Sequence, residues 1–344
     1  MTLRLSLCVP TYKRAALLGI ALPAILSQIT PEMVSSVEVV VLDNASPDAT
    51  PDVIRQAQAE FPHVSVRSIC HAENIGPDAN FIAAVQQARG EFVYLLSDDD
   101  ILLPGAVAKL LELIAAYPNF DAFALNIRHF VTDPAVDLAK VRIFEVPKAH
   151  IFKNRDAALA FLKTHITFMS SMAFRRESVA CHDYTDKIGS VIIQAYFFLD
   201  ALAPGRGLYL TREAFLAQRT DNVGGYDFFK VFVTHFAQVL DYAAQAGYSP
   251  QAIRKVQAGH LKMLLSFIVI FKVRGEYGQL KPDFPDGIAR MRRAYGLSPY
   301  FLGVLLPLLL LPTSLISVLR ALSRGVKSKV LRRPPPRSLA DPPQ

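Results

Sequence analysis

Three consecutive aspartates, Asp98, Asp99 and Asp100, follow the short run Glu91–Leu96, which has the composition of a buried strand. Carboxylates crowded at the end of a buried strand repel one another unless a cation or a donor-rich ligand neutralises them. Their oxygens are natural ligands for Mg²⁺ or Mn²⁺, and a cation held there would in turn hold a diphosphate. A second reading is a solvated acidic turn or the start of a helix ahead of Pro104, where aspartate is common. What separates the two is whether other polar side chains arrive at the same place.

The elements before the triplet bring them there. Residues 3–9 form a short apolar run, PTYKR a polar loop, and Ala15 to about Gln28 a helical pattern. The unit repeats. Val37–Leu42 is a β-branched run ending in Asp43, followed by the loop DNASPDAT and a helix from Thr50-Pro51 to about Phe61. A strand at 64–70, the loop HAENIG and a helix from Pro77 to Arg89, stopped by Gly90, lead into the fourth strand. Strands alternating with helices predict an α/β fold with a mostly parallel, doubly wound sheet, whose ligands bind beyond the carboxyl ends of the strands. Thr11, Tyr12 and Arg14, Asp43 and Asn44, Asn74 and Gly76, and the triplet all fall on that rim. Each also has a plainer role open to it: Tyr12 as core, Arg14 as a surface charge, Asp43 as a turn former, Asn74-Ile75-Gly76 as a tight turn.

The rest of the chain changes character. A helix is expected over 104–117 and a strand over 121–131, an irregular stretch over 132–150, then helical patterns at 154–163, 190–203, 226–246 and 250–273. The net charge of +7 is concentrated after residue 286, on both sides of the uncharged stretch Pro299–Leu319. That arrangement points to anionic lipid headgroups rather than nucleic acid. The stretch is long enough to span a membrane, but Pro307 and Pro312 interrupt it and both flanks are basic. A re-entrant or surface-lying segment on the cytoplasmic side of the membrane is therefore expected, with a buried core helix as the alternative. The tail RRPPPRSLADPPQ has a disordered composition. Cys8, Cys70 and Cys181 are odd in number and far apart, and read as reduced core residues rather than a disulfide framework or zinc site.

The segments VPTYKR, VVVLDNAS and NIGPDANFIAAVQQARGEFVYLLSDDD, in that order over about residues 4–130, resemble the family 2 glycosyltransferases and their GT-A fold. The resemblance implies that Pro10, Thr11, Tyr12 and Arg14 frame a base pocket, that Asp43 accepts a hydrogen bond from the base, and that Asn74, Gly76 and Asn80 line the same pocket. Many members read L-D-x-D-D where this chain has Leu96-Ser97-Asp98-Asp99-Asp100. Asp99 is accordingly expected to bind the metal, with Asp98 toward the ribose and Asp100 next. The short LSDDD form followed by LLP is similar to the subset that includes abequosyltransferase-type enzymes of surface polysaccharide assembly.

The resemblance further implies an inverting transfer from a nucleotide-diphospho-sugar donor to a saccharide acceptor, with a carboxylate taking the acceptor proton. Membrane attachment suggests a lipid-linked acceptor. Phe168–Arg176 looks like the acceptor-side strand, and of the acids beyond it Asp186, then Asp183, are the candidate base. Residues 218–225 (QRTDNVGG) are expected as a lid loop with Arg219 as a charge partner for the diphosphate, or as a plain helix-start turn. The implied organisation is a GT-A domain over 1–215, a helical extension over 216–295, a membrane-associated segment over 296–330 and a disordered tail over 331–344. A nucleotidyltransferase would need a glycine-rich phosphate loop, and a dehydrogenase G-x-G-x-x-G after the first strand; the chain has neither. An inactive membrane-bound scaffold of the same fold is the remaining alternative.

Overall fold

The computed structural model describes residues 3–312, apart from 132, 140, 141, 221–224 and 278. Its first half is the expected alternation: β1 (Leu5–Thr11), α1 (Ala15–Leu26), β2 (Val37–Asp43), α2 (Thr50–Glu60), β3 (Val66–Cys70), α3 (Pro77–Gln87) and β4 (Phe92–Leu95). Then come the two-residue β5 (Ile101–Leu102), α4 (Ala106–Ala116), β6 (Ala122–Phe130), α5 (Pro134–Asp137), β7 (His150–Phe152) and α6 (Arg155–Leu162). β8 (Met172–Arg175), α7 (Glu177–Ala180), α8 (Ile193–Leu202) and β9 (Leu208–Arg219) complete the sheet region.

The nine strands form one sheet in the order β3-β2-β1-β4-β8-β6-β9-β5, with β7 also paired to β9. β3, β2, β1 and β4 are mutually parallel; β8 runs against β4 and β6, and β5 and β7 run against β9. The sheet is thus mostly parallel, with reversed strands in its second half. Every residue of β1 and β2 is buried, because helices cover both faces. Leu5, Leu7 and Val9 pack with Val37, Val39 and Val41 on the face under α1, α2 and α4, while Cys8, Val40 and Leu42 pack on the face under α3 and α8. Gly90 lets the turn before β4 cross β1: a Cβ there would lie 2.6 Å from the Ser6 nitrogen.

Two sequence expectations change here. β9 is a twelve-residue strand that passes residue 215, so a domain boundary at that point would cut the sheet. Its apolar alternation is broken by Thr211-Arg212-Glu213, the extra residues of a bulge in β9 where it pairs with β6 between Ala124 and Asn126, and that break hid it. Of the cysteines only Cys8 is buried; Cys70 and Cys181 are exposed. Alternating exposure of the edge strand β3 places Cys70 outward.

Beyond the sheet lie a π-helical turn (Lys230–His235), α9 (Phe236–Gln245), α10 (Pro250–Arg274), α11 (Phe284–Tyr295), a second π-helical turn (Phe301–Leu305) and α12 (Leu306–Leu310). α10 is bounded by a Ser249 cap with Pro250 in its first turn and by Gly275 in the left-handed region at its end. α9 packs into the sheet's core through Phe236, Val239 and Ala243, whereas α10, α11 and α12 enclose a separate cluster around Phe228, Phe271 and Met291. Within the uncharged stretch, Phe301, Leu305 and Leu309 recur every fourth residue and are buried in that cluster. The described part of the stretch is therefore a short helix packed on protein, with Pro312 just past its end; residues 313–319 lie outside the described residues. By length and composition α10 is a candidate membrane span, but 39% of its most apolar window is buried inside the protein.

Candidate active site

The cleft is built where β1, β2 and β4 end. The Thr11 hydroxyl, on the last residue of β1, donates to Asp98 Oδ2 at 2.7 Å. The loop beyond β1 is pinned to the loop beyond β2: the Lys13 amide donates to Ser46 Oγ (2.8 Å), the Arg14 amide to Thr50 Oγ1 (3.2 Å) and the Ala15 amide to Asp48 Oδ2 (3.2 Å). Asn44 carries the link onward. Its Nδ2 donates to Asn74 Oδ1 (2.9 Å) and the Gly76 carbonyl (3.2 Å), and its Oδ1 accepts from the Ile75 amide (2.9 Å). Gly76, at φ +83°, turns the chain into α3, where Asn80 bridges the Leu42 carbonyl (3.1 Å) and His71 (2.9 Å).

These ties leave a cleft of about 320 Å³. Pro10, Thr11, Tyr12, Arg14, Asn74, Asn80 and Asp98 line it, together with Asn44, which the sequence put on the rim, and Pro77, Phe81, Ser97 and Met169, which it did not assign to the pocket. Asn44 was detectable as the residue after Asp43 on the rim; Phe81 and Met169 carry no polar signal. Asp43 and Gly76 are not among the residues that line the cleft. Asp43 is buried and accepts from the Ser46 amide at 3.1 Å, closing the DNAS turn, so the turn-forming role is the one its geometry fills.

All three aspartates are more than nine-tenths buried. Asp98 is pushed up to about 6 by burial, against the opposing pull of Arg14 and the Thr11 hydrogen bond. Burial, and then the charge of Asp99, holds Asp100 well above the usual carboxylate range. Arg14 Nη1 stands 3.4 Å from Asp99 Oδ2 and 4.0 Å from Asp98 Oδ1. Ser97 donates its hydroxyl to Asp99, and its amide donates to Ser170 Oγ at 2.9 Å, tying the triplet to the segment ahead of β8. Asp100 Oδ1 accepts from the Arg219 amide at 3.1 Å, but its Oδ2 is buried without a hydrogen-bond partner.

A buried, unmatched carboxylate oxygen beside two more acids is short of positive charge, which is the condition a divalent cation relieves. Among the described residues no group of three His, Cys, Asp or Glu side chains is arranged to hold a metal ion. The residues fit a hard cation that takes aspartate oxygens on one side and diphosphate and water oxygens on the other.

The remaining candidates fall elsewhere. Arg219 ends β9 rather than sitting on a loop; its guanidinium lies over the Phe130 ring and donates to the Val131 carbonyl at 2.9 Å. Residues 221–224 of the expected lid lie outside the described residues. Asp183 is exposed and accepts from the Thr185 amide and hydroxyl at 2.9 and 2.6 Å. Asp186 pairs with Lys187 at 2.6 Å and lines a different, polar cavity of about 560 Å³ with Ser190, Tyr196, His235 and Tyr242. The structure thus brings neither acid to the aspartate triplet. Between the two cavities lies Asp78, in the first turn of α3. Its Oδ2 accepts from the Gly189 and Val191 amides at 2.8 and 2.9 Å. Val191 is held at φ +64°, a strained setting for a β-branched residue. Asp78 was not among the residues that the sequence singled out.

Comparison with known proteins now bears on this geometry. The profile of glycosyl transferase family 2 matches residues 6–182. Abequosyltransferase RfbV of Salmonella typhimurium is 33% identical over 108 residues, 31% of each chain. The GalNAc(5)-diNAcBac-PP-undecaprenol beta-1,3-glucosyltransferase of Campylobacter jejuni is 34% identical over 109 residues, 32% of this chain and 34% of that protein. These alignments span about a third of the relatives' length. Among solved structures, S. aureus TarS 1–349 in complex with UDP-GlcNAc superposes with a TM-score of 0.62 at 16% identity, covering 86% of this chain and 82% of that one. Mannosyltransferase PcManGT from Pyrobaculum calidifontis, in complex with GDP-Man and Mn²⁺, gives 0.53 at 17% identity over 97% and 89%. The structural neighbours share the GT-A fold, and the profile match covers the loops that build the cleft. The chain belongs to glycosyl transferase family 2 and has the GT-A fold.

Proposed function

We propose that the protein moves a sugar, with inversion, from a nucleotide-diphospho-sugar to a saccharide acceptor held on a lipid at the cytoplasmic face of the membrane, in assembly of a cell-surface polysaccharide. The observation that carries the reading is the cleft at the ends of β1, β2 and β4, where a hydrogen-bonded frame of loops meets buried aspartates short of positive charge. Tyr12 and the Asn44–Asn74 pair would hold the base, and Asp98, fixed by Thr11, would meet the ribose. Asp99 and Asp100 would hold Mg²⁺ or Mn²⁺, which when bound stabilises negative charge on the departing diphosphate. Arg14 adds a positive charge on the same side. The lipid-linked acceptor and the polysaccharide role draw on what the relatives' names say of those proteins.

A base must reach the acceptor hydroxyl. Asp186 is our candidate, because the polar cavity it lines adjoins the 189–191 loop that Asp78 clamps next to the donor cleft; Asp183, outside both cavities, ranks after it. Asp78 would position this loop, keeping the two cavities in fixed relation. The test is a transfer assay with membrane extract as acceptor, following release of nucleoside diphosphate from UDP-, GDP-, CDP- and dTDP-sugars with Mn²⁺ or Mg²⁺. Acceptor-dependent release with one donor class and a new glycolipid product supports the reading. Tight donor binding without turnover on any acceptor would leave the inactive scaffold.

A further inference from the structure

Between α10, α11 and the turn ahead of Phe301 the surface sinks into a groove of about 950 Å³. Leu261, Leu297 and Pro299 contribute its apolar lining, Arg254, Lys262, Arg292 and Arg293 line it as well, and none of its lining residues is acidic. Arg254 and Lys262 are eight residues apart on α10, two turns along one face. Arg292 and Arg293 lie in the last turn of α11. None of the four forms an ion pair with a described residue, whereas Arg290, on the same helix, is engaged by Asp286 and Asp227. The sequence placed Arg290 in one basic cluster with Arg292 and Arg293; the structure separates a neutralised arginine from a pair that faces the groove.

The apolar side is equally unmatched. Leu297 is 97% exposed, and Leu302 and Leu310 in the segment that follows are 50% and 64% exposed. Of these, Leu297 lines the groove with the four cations, and a fully exposed leucine beside unpaired cations marks an interaction surface rather than ordinary scatter. The complement of such a surface carries negative charge and hydrocarbon together, and an anionic phospholipid bilayer offers both within one headgroup depth.

We propose that this groove docks the protein on an anionic bilayer, with lipid phosphates against Arg254, Lys262, Arg292 and Arg293 and with Leu297 entering the acyl boundary. The inference deepens the reading of a lipid-linked acceptor and rests on it for its purpose, but its test uses no catalysis. The full chain is sedimented with phosphatidylglycerol vesicles and with phosphatidylcholine vesicles. Three full-length variants are compared with wild type: Arg254→Gln with Arg292→Gln and Arg293→Gln; Leu297→Ser; and Arg320, Arg324, Lys327 and Lys329 each changed to Gln. Each cation near an anionic surface contributes roughly five-fold, so the triple variant should bind phosphatidylglycerol on the order of 100-fold more weakly.

Leu297→Ser, at a position with no packing to lose, should weaken binding by roughly ten-fold. The third variant should keep its dependence on the groove when the triple change is added. Nucleotide binding by each variant reports folding separately. The proposal is overturned if wild type shows no preference for phosphatidylglycerol. It is equally overturned if the triple and Leu297 variants bind like wild type while changing 320–329 abolishes binding, for then the distal basic stretch is the whole anchor. Loss of sugar transfer with vesicle binding intact would count against the proposed function and not against the groove.

Discussion

Replacing Asp98 with asparagine should make the protein more stable while damaging its donor site. Burial holds the Asp98 carboxyl at about 6, against the ordinary aspartate value of 3.8. A carboxyl whose folded value is raised contributes stability that is complete below pH 3.8 and is lost as pH rises through 6. The cost to the wild type is therefore about 2 kcal/mol at pH 5 and about 3 kcal/mol at pH 7, and flat above that. Asparagine is nearly the same shape, its amide oxygen can still accept from Thr11, and it escapes this cost. The assay is urea unfolding of the metal-free protein in EDTA at pH 5, 7 and 8.5, for wild type and Asp98→Asn. The variant should be more stable at all three, by a margin that widens by ~1 kcal/mol from pH 5 to 7 and then stays level. The same variant should bind nucleotide with metal at least ten-fold more weakly, the usual exchange of stability for function at a site built from buried acids. A variant less stable than wild type at pH 8.5, or a margin that does not change with pH, would refute the reasoning.

Asn44→Ala removes the hydrogen bonds that join the loop after β2 to Asn74, Ile75 and Gly76; Asn74 and Ile75 are exposed and Gly76 is half-buried, so water can take over and the loss is about 0.5–1.5 kcal/mol. Nucleotide affinity should drop roughly ten-fold by calorimetry with Tm only slightly lowered; unchanged affinity would show that the cleft wall does not depend on this tie. His260 is fully buried, stacked on Phe236, and burial lowers it to about 3, so its contribution is present above pH 6.5 and is lost as pH falls toward 3. His260→Phe should accordingly lose about 2 kcal/mol less stability than wild type between pH 7 and pH 5, read from denaturant curves; parallel losses would contradict it. Asp186→Asn should lower kcat by about 10²-fold or more with the donor Kd unchanged if it is the base, and a kcat within about three-fold of wild type would move that role to another group.

The first 130 residues disclose their architecture because β1, β2 and β4 are buried along their whole length and each polar loop stands at the end of a strand. A chain that spaces Thr11, Asn74 and Asp98 on successive loops of a parallel sheet has already put them on one rim. Finer assignments did not follow from residue type. Asp43 and Asn44 are neighbours, and which of them faces the cleft depends on a turn that uses the Asp43 carboxylate to bind Ser46. β9 was hidden because its bulge at the polar stretch Thr211–Glu213 interrupts its alternation. Arg219 consequently looked like a loop residue when it ends a strand. The uncharged stretch after Pro299 carried two signals at once: its buried Phe301, Leu305 and Leu309, four apart, speak for packing on α10 and α11, and its exposed leucines for a surface with a partner. Distinguishing Arg290 from Arg292 and Arg293 required knowing that Asp227 and Asp286 lie beside the first.

The cleft below the aspartate triplet should bind a nucleoside diphosphate together with a divalent cation. Calorimetric titration of the protein with UDP, GDP, CDP and dTDP, with and without Mn²⁺, repeated on Asp99→Ala, tests it directly. One nucleotide should bind, with the cation required, and this binding should disappear in the variant. Folded wild-type protein that binds none of the four, or binds one equally well without the cation and in Asp99→Ala, would contradict it.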